Sequence, residues 1–200
     1  MSWRDLPGWC DFADCYDRAV EDARPGDPLV EVGVALGRSV AYLTRRAIDS
    51  GKGLHIVAVD VWQTDPRPPP GTPTTDEDWM GWTGRYHELW ERHGGTFAVF
   101  LAGMTEHARE ELEALSVVRL PSVQAARAFA DRSLAFVFVD AEHDYGNVKA
   151  DIAAWLPKVR YGGMLAGHDY APQYPGVRQA VDEAFGTGRG VSSSSWAVRV

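Results

Sequence analysis

The chain is poor in cysteine, with only Cys10 and Cys15 among its 200 residues. They make neither a CxxC pair nor a zinc-ligand pattern, so two reduced thiols on a helix are expected. Positive charge is also scarce: 20 Lys and Arg stand against 28 Asp and Glu, for a net charge of −8. Without a Lys/Arg cluster, such a chain is a poor nucleic-acid binder, because phosphate neutralisation supplies most of that affinity. No apolar run approaches the roughly 18–20 residues of a membrane span. Met1 to Pro7 has no signal-peptide stretch, so a cytoplasmic location is expected. What remains is an ordinary soluble composition, 45% hydrophobic and 24% charged. It fits a single domain over residues 1–200. One residue type is in surplus. There are eight tryptophans, and Trp3, Trp9, Trp62, Trp79, Trp82 and Trp90 fall in the first 90 residues.

Apolar periodicity alternates between strand and helix. Residues 9–24 read as an N-terminal helix within a segment 1–27, ended by Pro25-Gly26-Asp27-Pro28. Residues 29–34 and 54–60 read as strands, with a helix over 38–50 between them, which makes a βαβ unit. Residues 63–78 hold Pro66, Pro68, Pro69, Pro70 and Pro73 and read as a long loop. With its flanks it forms an insertion over 61–95, read as a lid on the acceptor side. Helix follows over 79–113, with a break near Gly94-Gly95 or Gly103. Further strands are expected at 115–120, 134–140, 164–167 and 195–200, and helices at 123–131, 145–156 and 177–185. This alternation predicts a mostly parallel sheet covered on both faces. Ser192 to Ser195 is a four-serine run too short to be a linker.

Ligands of such folds bind outside the carboxyl ends of the strands. Here nearly every strand end carries a polar or acidic residue. The first turn runs Glu31-Val32-Gly33-Val34-Ala35-Leu36-Gly37-Arg38-Ser39. Gly33 and Gly37 permit a tight turn and a close backbone approach to a ligand. The turn is not GxGxxG, and Glu31 suits an amino group better than a pyrophosphate. A purely structural turn is the alternative. Asp60 ends the second strand, where a carboxylate would grip a ribose diol. It could instead be a helix N-cap or a solvated strand end.

Together these segments carry a resemblance. Glu31-x-Gly33-x-x-x-Gly37-x-Ser39, Asp60-x-Trp62, Asp140-Ala-Glu-His143-Asp-Tyr145, and Gly162-Gly163-x-x-x-Gly167-His168-Asp169-Tyr170 resemble the class I S-adenosylmethionine-dependent methyltransferases. The nearest branch is the bacterial small-molecule O-methyltransferases, and the likeness covers about residues 28–185. It implies a Rossmann-like three-layer α/β sandwich. The sheet would have seven strands, mostly parallel, with an antiparallel last strand. It also implies S-adenosylmethionine at the first two strand ends. Gly33 and Gly37 would lie against its methionine part, with Glu31 and Ser39 at the amino and carboxylate groups. Asp60 would hold the ribose, Trp62 would pack near ribose or ring, and Ser122 would sit by the adenine. Asp140 is expected to face the cofactor as well.

Methyl transfer to a hydroxyl needs in-line approach, a deprotonated oxygen and a dry site. Asp140 and Asp169 end neighbouring strands and could converge with His168 on Mg²⁺ or another divalent cation. His168 as a plain hydrogen-bonder beside the cofactor is the alternative. His143 is placed as general base, with Asp140 beside it, and a structural histidine is its alternative. Asp144 suits the N-cap of the next helix. The acceptor would be a small molecule bearing a hydroxyl, flanked by the surplus tryptophans. Trp155 is expected in the core. A dinucleotide-dependent oxidoreductase and a catalytically silent ligand-binding protein are the rival readings. Pairing as a homodimer is left open.

Overall fold

Leu29 to Val32, Ile56 to Val59 and Leu134 to Val139 are nearly unbroken runs of branched and aromatic residues. Such runs suit strands covered on both faces. The computed structural model, which describes residues 2–63, 88–190, 192 and 194–200, places them at the centre of one sheet. Its strands are β1 (Pro28–Val32), β2 (His55–Asp60), β3 (Leu115–Arg119), β4 (Leu134–Val139), β5 (Val159–Gly167) and β6 (Trp196–Arg199). Their spatial order is β3-β2-β1-β4-β5-β6. All neighbours run parallel except the antiparallel pair β5 and β6.

The strands among the described residues number six, not the seven that the resemblance implied. Past the last helix the chain carries Gly186, Gly188 and Gly190, which have little tendency to extend into a paired strand. Among the described residues there, only an isolated bridge from Gly190 to Trp196 forms, and β6 pairs directly with β5. β5 also begins earlier than expected. Val159 pairs with Leu134 and Met164 with Phe136, so Gly162-Gly163 sits in an irregularity inside the strand rather than in a turn before it.

Alternation along β1 sends Leu29 to one face and Val30 and Val32 to the other. On the first face lie α1 (Ala13–Asp22), α2 (Arg38–Asp49), α3 (Thr96–His107) and α4 (Arg109–Glu113). On the second lie α5 (Ser122–Ala126), α6 (Tyr145–Trp155) and α7 (Pro175–Phe185). Every residue of β4 is buried. The helix expected over 79–113 breaks at Gly94-Gly95 and again at Ala108. Trp155 is fully buried, as expected, and Asp144 caps α6 by accepting from the Asn147 N–H. The proposed lid, with Trp79 and Trp82, falls mainly on residues 64–87, outside the described residues.

Between β1 and β4 the strand order reverses, and a crevice opens at the carboxyl ends there. Val32 lies opposite both Val59 and Val139, and Val139 lies opposite Gly167. The ends of β1, β2, β4 and β5 are therefore level. Gly33, Asp140 and His168, which follow directly, meet in one place.

Candidate active site

The turn after β1 is shaped by close approach. Gly33 has φ +86°, and a Cβ there would stand 2.0 Å from the carbonyl oxygen of Asp140. Only glycine lets β1 and β4 exit side by side. Gly37, at φ +97°, begins α2, and a Cβ on it would press Met104 and Phe100 at 2.9 Å.

Asp60 stitches this turn. Its Oδ2 accepts from the Val34 and Ala35 N–H groups at 2.8 and 2.9 Å, and its Oδ1 accepts from the Trp62 N–H at 2.6 Å. Asp60 is the N-cap of no described helix and no merely solvated strand end: it binds the backbone of two loops. Trp62 is 3% exposed, and its indole N–H donates to the Ala35 carbonyl at 2.8 Å. It packs on Phe97 and Phe100. Trp62, like Glu31 and Asp60, is not among the described residues that line the cavity; its ring packs into the core under the turn it caps. Ser122 is hydrogen-bonded to two side chains of α6. Its hydroxyl donates to Asp151 at 2.5 Å and accepts from the Trp155 indole at 2.9 Å, tying α5 to α6. Burial pushes the Asp151 carboxyl up to about 6, the Ser122 hydrogen bond opposing it.

Glu31 is 1% exposed. Its Oε1 accepts from the Ser39 hydroxyl at 2.5 Å. Burial outweighs that bond and raises the carboxyl to about 8. Among the described residues, the second oxygen, Oε2, makes no well-formed hydrogen bond, nor does Nε of Arg38, although the buried Tyr16 hydroxyl is close enough to lower the Glu31 carboxyl. Arg38 also donates through Nη1 to the Gly8 carbonyl at 3.0 Å. This acceptor and this donor flank the same turn, a pairing that suits the amino and carboxylate groups of an amino-acid moiety. The sequence reading missed Arg38. The signal was its place between Gly37 and Ser39.

Across the crevice, Asp140, His143, His168 and Asp169 converge. His143 Nε2 lies 2.7 Å from Asp169 Oδ2 and 3.7 Å from Asp140 Oδ1. His168 Nδ1 lies 3.6 Å from Asp140 and 3.4 Å from Asp169. Asp169 is 7% exposed and held at φ +59°, a strained conformation for a non-glycine residue. The carboxylates of Asp140 and Asp169 hold His143 protonated, up to about 10. His168 is lowered by burial but raised further by Asp140, Asp169 and Asp11, to about 9. Burial alone would raise Asp140, yet the two imidazoles outweigh it and lower its pKa. A neutral imidazole, which proton acceptance requires, is reached at His143 only when the carboxylates are otherwise engaged.

Ligand atoms of Asp140, His143 and Asp169 all lie within 4.8 Å of one another. Two carboxylates with an imidazole are a donor set that fits a divalent cation. Sequence reasoning had named His168, not His143, as the third ligand. Both rings reach the carboxylate pair.

These groups open on a cavity of about 750 Å³. Among the described residues it is lined by the Gly33–Ser39 turn, by Asp140, His143, His168 and Asp169, and by Trp9, Phe12 and Tyr174. Its size suits a cofactor and a small acceptor together. Of the surplus tryptophans, Trp9 stands half exposed at this cavity, whereas Trp3 packs on Tyr42 and Trp90 on the Leu36–Val99 pair.

A doubly covered parallel sheet with a carboxylate-rich crevice at its switch point defines an α/β ligand-binding enzyme fold. Residues 30–170 match the family model described as a methyltransferase domain, and the chain belongs to that family. Among solved structures, the O-methyltransferase NovP shares 19% identity at a TM-score of 0.61, covering 94% of this chain and 78% of that one. Cofactor-bound Rv0187 from MTB shares 15% at 0.60, covering 98% and 84%. An rRNA methylase from Streptococcus thermophilus shares 12% at 0.51, covering 94% of each. At these identities the likeness is one of fold. No curated protein matches the sequence.

Proposed function

We propose that this methyltransferase moves the methyl group of S-adenosylmethionine to a hydroxyl of a small molecule, with a divalent cation assisting. The observation carrying this reading is the convergence of Asp140, His143, His168 and Asp169 on the cavity that the glycine turn also lines. The methionine part would lie along Gly33 to Ser39, with its amino group toward Glu31 and its carboxylate toward Ser39 and Arg38. Asp60 retains free lone pairs beside its three amides and would meet the ribose hydroxyls.

A cation held by Asp140, Asp169 and His168 would supply Lewis acidity that lowers the acceptor hydroxyl's pKa. His143 then takes the hydroxyl proton. Bound S-adenosylmethionine would supply the methyl group: the O–C bond would form as the C–S bond breaks, and the sulfur would leave as the neutral thioether S-adenosylhomocysteine. Trp9 and Tyr174 give the acceptor side an aromatic lining. The fold likeness to NovP, an O-methyltransferase, supports an oxygen target. The acidic net charge argues against an RNA acceptor.

The test is methyl-labelled S-adenosylmethionine incubated with a panel of phenols, sugars and hydroxylated antibiotics, with and without exhaustive chelation. Label is expected on oxygen of at least one acceptor, and chelation should abolish it. Undiminished transfer after chelation would remove the metal. Label found only on nitrogen or on RNA would overturn the acceptor class.

A further inference from the structure

His168 is gripped on the side away from the carboxylate pair. Its Nε2 lies 3.1 Å from the Ser194 hydroxyl oxygen and 3.4 Å from the Asp11 carboxylate. Ser194 in turn donates to Asp11 Oδ2 at 2.6 Å. The Tyr170 N–H donates to the Ser194 carbonyl at 2.8 Å, which fixes the serine beside the end of β5. Phe12, next to Asp11 and 1% exposed, lays its ring 4.7 Å from the imidazole centroid. Three segments distant in sequence thus close on one ring. The four-serine run takes part: the Ser195 N–H donates to the Ser192 hydroxyl at 3.2 Å, holding that turn.

This grip has a chemical consequence. With Asp11 and Ser194 as acceptors on one side, the ring's N–H sits on Nε2. The lone pair of a neutral ring then lies on Nδ1, the nitrogen that faces Asp140 and Asp169. A metal-binding histidine commonly donates its other N–H to a carboxylate, which fixes tautomer and ring plane. His143 has no such partner among the described residues. It is 43% exposed, and among the described residues its polar contacts are the two site carboxylates themselves.

We infer that Asp11 and Ser194 are positioning residues that make His168, through Nδ1, the histidine ligand of a divalent cation at Asp140 and Asp169. The inference rests on the metal-assisted reading above. It divides the two histidines by role: His168 is held by a carboxylate and a hydroxyl to bind the cation, and His143 remains free to handle the proton. It also makes the N-terminal segment and the serine run parts of the metal site, although neither supplies a ligand.

The test measures Mn²⁺ binding by electron paramagnetic resonance, on the full chain without S-adenosylmethionine or acceptor. Asp11→Ala is expected to weaken Mn²⁺ binding about 10–100-fold. Asp11→Asn, which keeps an acceptor for Nε2–H, should recover part of that loss, and Ser194→Ala should show a smaller one. Nitrogen NMR of the Mg²⁺-loaded protein should report the Nε2–H tautomer at His168, and a mixture of tautomers in Asp11→Ala. Unchanged thermal midpoints exclude general unfolding as the cause. If wild type binds Mn²⁺ and Asp11→Ala binds it equally well, the positioning role is overturned while the metal reading stands. If wild type binds no Mn²⁺, both fall together.

Discussion

Replacing Asp60 by alanine removes the acceptor of three backbone N–H groups at once. Val34 and Trp62 are 2% and 3% exposed, so water cannot readily replace the lost partner for either. An unsatisfied buried donor costs about 1–3 kcal/mol, which makes the pair worth about 2–6 kcal/mol. Ala35 is exposed and adds little. For a domain of this size each kcal/mol lowers Tm by roughly 2–4 °C, so Asp60→Ala should melt roughly 5–20 °C below wild type. Asp60→Asn should cost less, because the amide oxygen can still serve Val34 and Ala35 while its NH₂ group faces the Trp62 N–H. Differential scanning calorimetry without ligand reads this directly. A midpoint for Asp60→Ala within 2 °C of wild type would refute the claim that Asp60 builds the turn. The ribose contact is separable: in Asp60→Asn, affinity for S-adenosylmethionine should fall more than affinity for an analogue lacking the ribose hydroxyls.

The buried Glu31 carboxyl makes stability depend on pH. Its folded pKa of about 8 lies above the ordinary 4.5, so the folded state holds a proton that the unfolded state has released. Its contribution is fully present below pH 4.5 and is lost as pH rises through 8, at about 1.4 kcal/mol per pH unit between them. Urea unfolding at several pH values should show that slope, and Glu31→Gln should flatten it. An identical slope in the variant would show that another group is responsible. Ser122→Ala should leave the fully buried Trp155 indole without an acceptor and Asp151 without its donor, at a cost of about 2–4 kcal/mol. The urea midpoint should fall with m unchanged. A loss below about 0.5 kcal/mol would mean that the α5–α6 network carries no weight.

Much of the architecture was legible because burial on both faces leaves a plain mark. Leu134 to Val139 reads as a strand from its apolar run alone, and the structure buries all of it. The Gly33 turn and the strand-end carboxylates were legible for a similar reason, since the fold puts ligands at strand ends. Contacts between distant segments were not. Trp62 sits at a strand end, where an aromatic ring could face a ligand or the core with equal ease. Only Phe97 and Phe100, from α3, decide for the core. Ser122 looked like a loop hydroxyl because nothing local announces Asp151 and Trp155. The grip on His168 joins residues 11, 168 and 194, a span with no periodicity to betray it.

A calorimetric titration with S-adenosylmethionine bears most directly on the central claim. One saturable site is predicted, displaced by S-adenosylhomocysteine, with no heat from NAD or NADP. Silence toward S-adenosylmethionine, or saturable binding of a dinucleotide in its place, would contradict the account.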